Sequence, residues 1–153
     1  MKAMFELALA ATIFLCCCGP VTPRTQESKA DPTMEPWYGQ AVSELAAMDR
    51  EAESLLRAGK SDEAAAVVTK GQPLANRVLG VPRPTLAATE AASDLDQLYA
   101  RMLLANGNYG WARLLFQKDE TRWKIWKPQT AETARRRKLA AEGIAECDRQ
   151  LSQ

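Results

Sequence analysis

The chain has 153 residues, 46% of them hydrophobic and 25% charged, which suits one ordinary core and leaves no room for two domains of typical size. Its 20 lysines and arginines balance 19 carboxylates, so no basic field marks it for nucleic acid. There is no histidine, and three of the four cysteines are consecutive; the commonest general base and any spaced disulfide or metal framework are therefore missing, and neither a catalytic residue set nor a metal or cofactor is expected.

In chain order, Met1 and Lys2 precede an apolar run from Leu7 to Cys18, LALAATIFLCCC, which stops at Gly19-Pro20. About 20 apolar residues are needed to cross a bilayer, so this run is too short to span one, and Glu6 interrupts it on the N-terminal side. Leu15-Cys16-Cys17-Cys18 resembles a bacterial lipoprotein signal, in which a large aliphatic residue and two small or neutral ones precede the cysteine that accepts lipid. The resemblance implies a signal peptide over 1–17, removed on processing, and a lipid anchor on Cys18, with Cys17 and Cys16 as alternative acceptors. A thiolate is the local nucleophile able to form the thioether, and two acyl chains suffice for lasting attachment. The implied location is the bacterial cell envelope. Gly19 in place of a retention aspartate points to the outer membrane where the cell has one. The competing readings are an ordinary secretory signal or uncleaved anchor, and palmitoylated or metal-bound cysteines.

Residues 18–35 hold prolines at 20, 23 and 32 and few apolar side chains, which predicts a disordered tether with a reach of about 20–25 Å. A helical domain over 36–153 follows. Ala41, Leu45, Met48, Ala52 and Leu55 form the stripe of a first helix that stops at Gly59. Ser61 is the expected cap of a second, with Asp62 and Glu63 in its first turn; Gly71 and Pro73 bend or end it, or LANRVL carries it on to Gly80. After the stiff Val81-Pro82-Arg83-Pro84 connector, Thr85 caps a third helix running to Asn106-Gly107, and a fourth runs from about Tyr109 to Trp126. Pro128 breaks the chain, and Thr130 caps a fifth whose Ala140, Ile144, Cys147 and Leu151 share one face. No strand alternation appears, so the fold class is all-α.

Gly59, Ala64 and Val68 recur as Gly107, Ala112 and Phe116, and Ala52 and Leu55 as Ala100 and Leu103, a period of 48 residues. The segments AGKSDEAAAVV and NGNYGWARLLF resemble the tetratricopeptide repeat, where a glycine opens the turn and alanine then an aromatic fill the helix contact. The period exceeds that family's 34 residues. The resemblance implies antiparallel helix hairpins, two units plus a C-terminal capping helix, and a partner groove lined by the first helix of each unit. Carried over residue by residue, the groove positions are Asp49, Glu53 and Arg57, then Asp94, Gln97 and Arg101. Such a face could clamp a peptide backbone or terminal carboxylate; a solvated surface, with Glu53 and Arg57 as an i,i+4 pair, is the plainer reading.

Trp126, among Lys124, Lys127 and Pro128, is a further candidate contact, weighed against core packing onto the last helix, while Trp123 is placed inward with Ala112 and Phe116. The basic run Arg135-Arg136-Arg137-Lys138 spreads around its helix and is assigned to a solvated end. Cys147 is placed in the core. The sequence thus predicts a lipid-anchored envelope adaptor that binds an unidentified protein or peptide, without enzymatic activity and with its oligomeric state open. A carboxylate-based cell-wall hydrolase and a structural, oligomerising lipoprotein are the alternatives.

Overall fold

The structure is a computed structural model that describes residues 30–153. The segment 1–17 expected to be a signal peptide, the candidate lipid acceptors Cys16, Cys17 and Cys18, and most of the tether expected over 18–35 lie outside the described residues. Those described form five α-helices: α1 (Pro36–Arg57), α2 (Ser61–Leu79), α3 (Leu86–Ala105), α4 (Tyr109–Ile125) and α5 (Ala131–Leu151), with a 3-10 turn, Pro32–Met34, leading into α1. The domain is all-α, and no described helix is long and apolar enough to cross a membrane.

The helices pack as two successive hairpins, α1 on α2 and α3 on α4, with α3 also against α1 and α2 and with α5 laid along α4. α3 is the axis of the domain because it is the richest in small residues facing inward. Ala88, Ala91, Ala92 and Ala100 are all buried, so neighbours approach closely on several sides. One core joins α1, α2 and α3 around Leu45, Val68, Val78 and Leu95. A second joins α3, α4 and α5 around Ala100, Ala112, Phe116 and Cys147. Trp123 of α4 has no solvent exposure, and its indole Nε1 donates to Ser93 Oγ of α3 at 2.8 Å. That bond satisfies the polar handle a buried tryptophan brings with it. α5 can lie close to α4 because Gly143 leaves room for the Phe116 ring: a Cβ there would come within 2.7 Å of it.

The 48-residue period is written into the turns. Gly59 and Gly107 both take φ of 75°, the left-handed conformation that glycine adopts without steric cost. Around them the hydrogen bonds repeat: Lys60 N–H to Leu55 O at 2.9 Å and Gly59 N–H to Leu56 O at 3.0 Å correspond to Asn108 N–H to Leu103 O at 2.8 Å and Gly107 N–H to Leu104 O at 3.1 Å. Each pair is a Schellman closure that satisfies the end carbonyls of its helix.

One helix boundary differs from the sequence reading. Ser61 is the first residue of α2, with Lys60 in the capping position and no side-chain cap, because the Schellman closure delivers the chain straight into the next helix. At the other end of α2 the longer of the two expected courses holds: Gly71 and Pro73 do not end the helix, which continues to Leu79 with Gly80 as its cap. Pro73 is exposed, so its ring meets solvent, and the turn beyond it is held by buried Ala75 and Val78. Gly71 is buried where α2 meets α3, and a Cβ there would lie 2.7 Å from Leu95 Cδ2. Thr85 and Thr130 cap α3 and α5 as expected, Thr130 in a reciprocal box with Thr133.

Candidate functional site

The helical period that buries Leu45, Met48 and Ala52 turns Asp49 and Glu53 to the other flank of α1. The same logic on α3 presents Asp94, Gln97 and Arg101. The structure brings these five together in a cleft of about 190 Å³, closed on its third side by Arg135, Arg136 and Leu139 of α5. Arg57 lines a neighbouring, mostly apolar cleft of about 400 Å³ with Leu56, Leu98, Met102 and Ala105. Glu53 and Arg101 border both clefts, so the two form one groove, polar at one end and apolar at the other. α1, α3 and the first turns of α5 supply every lining residue, and α2 and α4 none.

Within the groove, most charges are already matched. Glu53 does not pair with Arg57; its carboxylate accepts from Arg101, 48 residues on, at 3.2 Å. The pair therefore ties the α1–α2 hairpin to the α3–α4 hairpin. Arg136 Nη1 meets Asp94 Oδ1 at 2.5 Å, while its Nε reaches Glu132 at 2.9 Å and Glu90 at 4.0 Å. Its guanidinium also stands 5.3 Å from the Trp123 ring. The assignment of the basic run to a solvated end is therefore corrected for Arg136, which is largely covered and ties α5 to α3, because a ladder of α3 acids faces it. Arg135 pairs with Glu132 at 2.7 Å, and its hydrogen bond is the largest influence holding the Glu132 carboxyl down at about 2.

Asp49 is the exception. Its Oδ1 is buried without a hydrogen-bond partner. Burial, then the negative charges of Asp94 and Glu53, push its carboxyl up to about 6, against weaker opposition from Arg101 and Arg50.

Behind the groove lies a buried charge network. Gln97 donates to Asp119 at 2.7 Å, and Arg122 joins Asp119 to Asp96 with 2.8 Å contacts to each. Asp96 and Asp119 are 1% and 0% exposed. Lys118 adds a 2.9 Å contact to Asp96. Burial raises the Asp119 carboxyl, opposed by the hydrogen bond from Gln97 and the charge of Arg122. Fully interlocked in this way, the network holds Gln97, and with it the floor of the groove, in one position.

Trp126 lines neither cleft. It is half-buried just after α4, its ring edge-on to Trp123 at 6.4 Å and its carbonyl accepting from Gln129 at 2.6 Å. Its ring remains partly exposed, and the contacts it makes are with Trp123 and Gln129. Sequence reasoning missed the α5 wall and the apolar end. Leu56, Leu98 and Met102 carried a signal, as apolar residues one position away from the polar stripe. Cys147 is buried as expected, its thiol pushed up chiefly by desolvation.

Among the described residues no cluster of metal-ligating side chains occurs. Compared with known proteins, the chain matches no family model, no curated protein and no solved structure. The groove must therefore be read from its own chemistry.

Proposed function

We propose that the protein is a lipid-anchored adaptor of the bacterial cell envelope that binds a protein or peptide segment in the α1–α3–α5 groove of a tetratricopeptide-like domain. The observation that carries this reading is the convergence of side chains from three helices on one groove with a polar and an apolar end. A peptide needs both: donors and acceptors for its backbone and a place to bury a side chain. The repeated Schellman turns and the Glu53–Arg101 bridge between equivalent positions support the repeat character of the scaffold. For the anchor, the support is the Leu15-Cys16-Cys17-Cys18 pattern and the proline-rich stretch between it and the domain.

The test is a crosslinked pull-down from membranes with the wild type and the Arg57→Ala, Arg101→Ala double variant. The reading expects a protein captured by the wild type and lost in the variant; an unchanged capture list would remove the groove from the account.

A carboxylate-based hydrolase is the second reading that an observation favours, because Asp49 holds its proton to about pH 6 beside two other carboxylates. Against it, Glu53 and Asp94 are each neutralised by an arginine, so neither is left free to act as the second carboxylate beside Asp49. Release of reducing ends from cell-wall glycan, abolished by Asp49→Asn, would establish the hydrolase in place of the adaptor.

A further inference from the structure

We propose that the segment held in the groove carries a basic side chain, lysine or arginine, that pairs with Asp49, and an aliphatic side chain three residues away that fills the apolar end. The proposal rests on the binding-groove reading and specifies what that groove selects.

Charge decides the first part. The cleft brings Asp49, Glu53 and Asp94 against Arg101, Arg135 and Arg136. Arg101 is taken by Glu53, Arg136 by Asp94 and Arg135 by Glu132. An anionic ligand, including the terminal carboxylate considered from sequence, would have to displace an existing pair. Asp49 has an oxygen that accepts nothing, and a buried acceptor left empty is a standing cost that an incoming N–H removes. A cation gains that hydrogen bond and meets the one carboxylate of the cleft that no arginine already pairs with.

Geometry decides the second. Asp49 and Leu56 are seven residues apart on α1, so about 10 Å separates them along the axis. That is close to the span of three residues of a peptide in the polyproline-II conformation, which rises about 3.1 Å per residue and returns its side chains to the same face every third residue. At that distance Leu56 faces Leu98 and Met102 of α3, lining the cleft of about 400 Å³, which is ample for one leucine-sized side chain. The match between this spacing and the three-residue polyproline-II repeat gives the pattern basic-x-x-aliphatic or its reverse.

Protonation supplies a check that mere stickiness would not reproduce. The groups facing Asp49 are Arg50 and Glu53 on α1, Asp94 and Arg101 on α3, and Arg135 and Arg136 on α5. The Asp49 carboxyl is raised to about 6, so a cation loses its partner as the pH falls through that value.

The experiment uses the full chain, purified from membranes in detergent, and the fluorescence anisotropy of labelled heptapeptides. One peptide has a Lys-Gly-Ser-Leu centre, a second has Glu in place of Lys, and a third has Ser in place of Leu. The first is expected to bind at pH 7.5 at least tenfold tighter than the other two, to lose about tenfold at pH 5, and to lose at least tenfold against Asp49→Asn, a variant expected to be more stable than the wild type. Equal binding of the lysine and glutamate peptides, or unchanged affinity in Asp49→Asn, overturns the proposal. If the neutral or acidic peptides then bind in a way that Arg101→Ala abolishes, the groove stands and only its selectivity falls. No binding by any peptide, together with a pull-down that the double variant leaves unchanged, removes both.

Discussion

Replacing Asp49 with asparagine is expected to stabilise the domain, and to do so only above mildly acidic pH. In the folded chain the Asp49 carboxyl is raised from 3.8 to about 6. Between those values the folded state keeps a proton that the unfolded state releases, so stability declines as the pH rises through this window, and the whole penalty is present above about pH 6. A shift of about two units at roughly 1.4 kcal/mol each sets a ceiling near 3 kcal/mol. Asp49 is only partly buried, so screening by solvent reduces this to about 1–2 kcal/mol. Asparagine keeps the shape and removes the charge. The assay is urea unfolding followed by circular dichroism at pH 4, 5, 6 and 7.5 for both proteins. With a slope of about 1–3 kcal/mol/M, the midpoint of Asp49→Asn should exceed that of the wild type by about 0.5–1 M at pH 7.5 and converge on it near pH 4. Other acids, Asp119 among them, titrate in both proteins and cancel in the difference. A midpoint that is equal or lower at pH 7.5, or an offset that does not change with pH, would refute the reasoning.

Gly59→Ala and Gly107→Ala should each cost about 1 kcal/mol, and by nearly equal amounts, since both glycines hold φ of 75° in the same closure with open space around them; thermal unfolding of the two single variants checks the equality. Asp96→Ala should cost about 3–5 kcal/mol, because it strands Arg122, which is only 12% exposed, without one of its two carboxylates; a loss under 1 kcal/mol in urea would show that the network is dispensable. If Cys18 carries the lipid and residues 1–17 are removed, the mature protein holds one free thiol, the buried Cys147, so a thiol reagent should react slowly when it is folded and with one equivalent when it is unfolded. Fast-reacting thiols in the mature protein would contradict that processing.

The parts of the fold legible in sequence were those with a local cause. Glycine at Gly59 and Gly107, the proline connector before Thr85, and Thr130 mark helix ends because each acts through its own backbone, and the apolar stripe from Ala41 to Ala52 follows from helical spacing alone. What escaped depends on a partner from another helix. Pro73 leaves two courses open for α2, and the choice between them falls to Ala75 and Val78, which the longer course places in the core. Arg136 looks solvated until Glu90 and Asp94 of α3 face it. The groove shows the same division: five of its polar residues follow from carrying the repeat onto α1 and α3, while the α5 wall follows only from how α5 docks, through Gly143 on Phe116. The buried acids had left a trace, since Asp119 stands three residues after Phe116 and four before Trp123 on an inward stripe, a position where a carboxylate requires a partner.

The central claim is that the groove, and not some other face, meets the partner. The direct measurement is photocrosslinking in intact cells with a photoreactive amino acid placed at Arg57, at the apolar end of the groove, and separately at Thr69 and Trp111, exposed on α2 and α4. The account predicts one discrete adduct from position 57 that Asp49→Asn weakens, and none of that mass from positions 69 and 111. The same adduct from α2 or α4, or none from position 57 while those positions give one, would contradict it.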